Sequence, residues 1–90
     1  MATRHKSAVK RHRQNLKRQE RNTAIRTKVR HIIRETRAAI GGTDVQTAEQ
    51  QLRTAIKALT KAVSKGVLHR NSASRRISRL SKQVAALKAS

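Results

Sequence analysis

The sequence predicts an all-α protein, an antiparallel three-helix bundle whose long first helix projects beyond the other two. Three observations predict it. The chain has no proline, and its three glycines sit at 41, 42 and 66, so only two strong break points divide the 90 residues. The apolar residues between those breaks recur every three or four positions, the period of one helix face. No stretch alternates apolar and polar side chains as a half-buried strand would.

The first helix is predicted from about Lys6 to Ile40. Its C-terminal half places Ile25, Val29, Ile32, Ile33 and Ile40 on one face, with Thr36 among them. Gly41-Gly42 is expected to close it in the left-handed conformation that glycine tolerates. Thr43 and Gln46 then form the Thr-x-x-Gln arrangement of a capping box, with Asp44 adding negative charge to the first turn. The second helix carries Val45, Ala48, Leu52, Ala55, Leu59 and Ala62 as its seam, with Ile56 and Val63 beside it, and stops at Gly66. Asn71 is the predicted cap of the third, where Ala73, Ile77, Leu80, Val84 and Leu87 line the inner face. Two narrow seams and half of the first helix suffice for a single small domain.

The large aliphatics are unevenly placed. Of 18 Val, Ile and Leu, only Val9 and Leu16 precede Ile25. Residues 1–24 are therefore read as a basic helical arm that cannot bury enough to order itself, and 25–90 as the bundle. A continuous first helix of about 35 residues would be about 50 Å long, so its front half must extend past the bundle.

Lysine and arginine number 23 against 4 acids, a formal net charge of +19. So much charge on so small a body calls for a polyanion. The cations form rows. Lys6, Lys10, Arg13, Lys17 and Arg21 run along one side of the arm, and Arg11 and Arg18 mark another. Arg26, Arg30, Arg34 and Arg37 continue on the first helix. Arg53, Lys57, Lys61 and Lys65 follow at steps of 4 on the second helix. Arg75, Arg79 and Lys82 are expected to face outward on the third, with Arg76 beside the seam. Glu49 and Arg53 make the clear i,i+4 ion pair of the second helix. One such row is an ordinary solvated face; rows on all three helices with hardly an acid between them describe a surface for polyphosphate. Arginine exceeds lysine 14 to 9, and the planar guanidinium fork matches phosphate oxygens.

With no Phe, Tyr or Trp, the chain lacks the platforms on which single-stranded readers stack bases. Recognition is expected through the backbone and shape of a folded nucleic acid, RNA before duplex DNA. Other chemistries find no support. The absence of cysteine excludes disulfides and thiolate metal sites and allows a reducing compartment. His5, His12, His31 and His69 lack metal-ligand spacing, and the four acids form no general acid–base pair. No phosphate loop or nucleophile motif is present, so neither an enzyme, a cofactor nor a small-molecule substrate is expected. No apolar run reaches ten residues, so neither a membrane span nor a signal peptide is expected.

The stretch from Lys65-Gly66-Val67-Leu68-His69-Arg70-Asn71 through Ser72-Ala73-Ser74-Arg75 to Arg79-Leu80 resembles the signature of the S-twenty family of bacterial small-subunit ribosomal proteins. Lys6-Ser7-Ala8 with Lys10-Arg11 resembles the start of that family, and Arg21-Asn22 falls where it has a basic-Asn pair. The similarity spans nearly the whole chain. Ser72 departs from it, standing where the family has Lys, and Ser74 stands where Ala is common, so the phosphate contact of that Lys does not carry over to position 72.

The resemblance implies a three-helix bundle that binds 16S ribosomal RNA in the cytoplasmic ribosome, with few or no protein contacts required. It also implies that Lys6, Ser7, Lys10 and Arg11 enter the RNA. Lys65, His69, Asn71, Arg75 and Arg79 would make a second contact region, with Arg70 in the same stretch. Asn22, Arg26, Arg30, Arg34, Lys57, Lys61 and Arg76 complete the candidate RNA-binding residues with the arm cations named above. A histone-like DNA-compacting protein is the alternative that shares this charge and helicity.

Overall fold

The computed structural model describes residues 2–42 and 44–89, with side chains described from position 7 onward. Three helices and no strand occur among the described residues: α1 (Ala2–Gly41), α2 (Val45–Ser64) and α3 (Arg70–Ala89). The all-α bundle is as the apolar periodicity requires. α1 has 40 residues, twice the length of either partner, and the molecule is a rod measuring 69 × 21 × 13 Å.

α2 lies at the centre of the packing. It touches α1 and α3 extensively, whereas α1 and α3 meet each other only briefly. The core joins Val29 and Ile33 of α1, Ala55, Leu59 and Ala62 of α2, and Ala73 and Leu80 of α3. Alanine at two of those α2 core positions, with a third buried at Ala48, lets neighbouring backbones approach where larger side chains would hold them apart. On α1, burial begins with the half-buried Asn22 and Ile25, while residues 7–21 are exposed throughout. Val9 and Leu16 are the exposed large apolar side chains, at 40% and 45%.

One polar side chain lies in the core. Thr36 is fully buried, and its hydroxyl reaches the carbonyl of Ile32 at 2.7 Å and that of Gln51, across on α2, at 3.2 Å. A hydroxyl donating to a facing helix fixes their relative register and contributes about 1 kcal/mol.

Helix ends depart from the sequence expectation in three places. Gly66, at φ +75°, is the only glycine with positive φ among the described residues, so α1 does not close on a left-handed glycine. Gly41 is its last helical residue, and the Gly42 N–H still donates backwards, to Ala38 O at 3.0 Å and Ala39 O at 3.2 Å. Asp44, at φ −87° and ψ 105°, is extended.

Asp44 is also the cap of α2. Its carboxylate accepts from the Gln46 N–H at 3.2 Å and from the Thr47 hydroxyl at 2.7 Å. Both donors lie within reach of the short Asp44 side chain; the Thr43 of the expected Thr43–Gln46 box lies outside the described residues.

α3 is capped by His69 rather than Asn71. The His69 carbonyl takes the first helical bond, from Ala73 N–H at 3.2 Å, and its ring Nδ1 accepts from the Asn71 N–H at 3.1 Å. Asn71 is one residue too far along to serve, being already inside the first turn.

The α2–α3 turn does use its glycine as expected. Gly66 N–H donates to Val63 O and Val67 N–H to Ala62 O, both at 2.9 Å, the paired bonds of a Schellman motif. Val67, only 7% exposed, then tucks under the turn and closes that end of the core.

Candidate nucleic-acid interface

Basic side chains occupy the faces that the core leaves outside. The arm cations Lys10, Arg11, Arg13, Lys17, Arg18 and Arg21 are exposed, as is Ser7. The side chain of Lys6 lies outside the described residues. Arg26, Lys57, Lys61, Arg70 and Arg75 are exposed on the bundle.

The fold gathers some of these rows and separates others. Arg18, Arg21 and Asn22, at the base of the arm, share a cleft of about 460 Å³ with Lys65 at the end of α2. In sequence they are more than 40 positions apart, and the antiparallel return of α2 brings them together. Lys28 and Lys61 flank a narrower cleft of about 110 Å³ between α1 and α2, over Ile25 and Ala58.

A larger groove runs between α1 and α3. It encloses about 600 Å³, walled by Arg30, Arg34 and Arg37 on one side and by Arg76 and Arg79 on the other. Ile33 and Leu80, both buried, form its floor. The groove exists because α1 and α3 meet only briefly, while α2 holds both from behind. Arg79 therefore turns toward α1 with Arg76, rather than outward with Arg75 and Lys82 as its row suggested. Its two walls come from helices that are remote in sequence, a pairing that no single-helix periodicity reveals. Arg37 and Gln83 line it too and belong with the candidate residues. Arg37 was already visible at the end of the α1 row; Gln83, an uncharged residue on a polar face, gives no sequence signal.

No acid lines this groove among the described residues. Glu49, on α2, pairs with Lys88 near the end of α3. Its carboxyl is held below its ordinary range by that hydrogen bond first; the charges of Lys88 and Arg53 add to the effect, against some desolvation. Lys88, not Arg53, is thus the direct partner of Glu49, because antiparallel α2 and α3 set the start of one beside the end of the other. The Thr47 hydroxyl and backbone, with the Gln46 N–H, likewise hold Asp44 low. His69, a candidate contact residue, spends Nδ1 on the α3 cap.

Among the described residues, no group of three His, Cys, Asp or Glu could hold a metal ion. No described helix is long and apolar enough to cross a membrane.

A sequence model of the family described as ribosomal protein S20 matches residues 3–85. The chain belongs to the ribosomal protein S20 family. The small ribosomal subunit protein bS20 of Solidesulfovibrio magneticus is 52% identical to it over 80 residues, covering 89% of this chain and 90% of that protein. The bS20 protein of Helicobacter pylori is 51% identical over 80 residues, with the same coverage of 89% and 90%. That of Desulfovibrio desulfuricans is 47% identical over 85 residues, 94% of this chain and 96% of the relative. S20 is a family of ribosomal structural proteins and not of enzymes.

Proposed function

We propose that the protein is a structural constituent of the small ribosomal subunit that binds 16S ribosomal RNA directly and stabilises its folding and assembly in the cytoplasmic ribosome. The observation that carries this reading is the exposure of basic rows on all three helices of a chain bearing +19. Five guanidinium groups are gathered in one groove, and no aromatic side chain is available to stack a base. Such a surface neutralises phosphates and meets RNA by shape. The bundle offers several charged faces at once, so it can hold together RNA helices that would otherwise repel. The arm, charged on more than one side, extends into RNA as a strut.

Chemical footprinting of small-subunit RNA with and without the protein tests this directly. Protection confined to a few defined segments is expected; diffuse protection along the whole RNA would reduce the chain to a polycation. Competition with duplex DNA at about 150 mM salt completes the test. Equal affinity would favour the DNA-compacting alternative.

A further inference from the structure

The α1–α3 groove differs from every other basic face of the molecule. The other basic clefts are smaller and contain lysine: Arg18 and Arg21 share theirs with Lys65, and Lys28 lies across from Lys61. The groove has two walls, and all five of its cations are arginines. Among the described residues no acid lines it, whereas the groove between α2 and α3 holds Glu49 against Lys88. Five guanidinium groups facing each other across an apolar floor are mutually repulsive until an anion enters. The low-dielectric floor strengthens both that repulsion and the attraction that would replace it.

We propose that the α1–α3 groove is a clamp for one strand of RNA backbone, its phosphates gripped between the two arginine walls through guanidinium forks. This rests on the RNA-binding reading above and assigns it a place. Dimensions support a single strand. From Arg30 to Arg37 the α1 wall advances about 10 Å along the helix axis, a length that takes successive phosphates of one strand but not the full width of a duplex. Arg30, Arg34 and Arg37 on one side and Arg76 and Arg79 on the other thus give each phosphate a guanidinium from either wall or nearly so. A planar fork makes two parallel hydrogen bonds where lysine acts as a point charge. Arginine is therefore needed in the groove, whereas on a one-sided row mostly net charge matters.

Charge-preserving substitutions separate the two modes. Arg34→Lys/Arg76→Lys/Arg79→Lys keeps the net charge and removes three forks. Its affinity for small-subunit ribosomal RNA transcript is expected to fall about ten-fold or more, with the salt dependence little changed. The matched arm variant, Arg11→Lys/Arg13→Lys/Arg18→Lys, is expected to stay within about two-fold of the parent. Equal losses in the two variants, or no loss in the groove variant, would overturn the clamp.

A second measurement leaves all five arginines in place and so does not depend on how well the triple variant folds. The chain has no cysteine, so Gln83→Cys provides a unique tether for a hydroxyl-radical cleavage reagent at the groove. Cuts clustered on one short stretch of one strand are expected; cuts on both strands of a helix, or none, would overturn the proposal. If the parent protein binds duplex DNA as tightly as ribosomal RNA, the RNA reading itself fails, whatever the arginine variants do.

Discussion

At the α2–α3 turn Gly66 sits at φ +75°, where an L side chain costs about 1–2 kcal/mol. Gly41 is an ordinary last residue of α1 with open space around its missing Cβ. Alanine at the two sites is therefore expected to act with opposite sign in urea denaturation. Gly66→Ala should lose about 1–2 kcal/mol, while Gly41→Ala should gain about 0.5–1 kcal/mol through the entropy of the unfolded chain and helix propensity.

The capping and ion-pair carboxylates make a second prediction at this scale. Asp44 and Glu49 both have folded pKa values below their ordinary ones, so below the ordinary carboxylate range the unfolded state binds more protons than the folded state. Their stabilisation is complete above about pH 5, and is lost as pH falls through about 4 and on through the folded values. Thermal midpoints measured between pH 3 and 7 should fall on the acid side, and Asp44→Asn/Glu49→Gln should flatten that fall. Asparagine keeps the cap while removing the titration.

Most of each element was legible as a pattern of residues. Periodicity over Ile25–Ile40, Val45–Val63 and Ala73–Leu87 predicts three faces, and Val29, Ala55, Leu59 and Leu80 duly fall in the core. Helix ends were less legible because several residues compete for one cap. Thr43, Asp44, His69 and Asn71 all have side-chain acceptors, and only the local path of the chain decides between neighbours one position apart. The groove was less legible still. Its residues were visible as Arg30, Arg34, Arg76 and Arg79 in separate rows, but their convergence depends on which pair of helices α2 holds apart.

The arm is the other element whose behaviour follows from what it lacks. Beyond the cleft that Arg18 and Arg21 share with Lys65, residues 7–21 are all exposed, and like charges four apart on a helix cost a few tenths of a kcal/mol per pair. Circular dichroism of the free protein at low salt is expected to show less helix than three full elements require, and to rise as ribosomal RNA is added. An arm already fully helical without RNA would contradict this.

For the molecule as a whole, charge density sets the solution behaviour. If about ten phosphates are neutralised, the logarithm of the binding constant should fall against the logarithm of salt with a slope of roughly −7 to −9. Lys10→Ala/Lys17→Ala should make that slope shallower by roughly 1.4–1.8. Filter-binding or fluorescence titrations across a salt series measure both. An unchanged slope would place those two lysines away from the RNA.

The naked arm has one more consequence, for the lifetime of the polypeptide. An unassembled copy offers a protease a run of accessible lysines and arginines that no tertiary contact covers, and local opening there requires no disruption of the bundle. With the strut threaded into RNA as proposed, those peptide bonds would be shielded. Surplus copies would then be nicked and cleared while assembled ones persist, so the same exposed segment that seeks the ribosome would also keep the supply of protein in step with it.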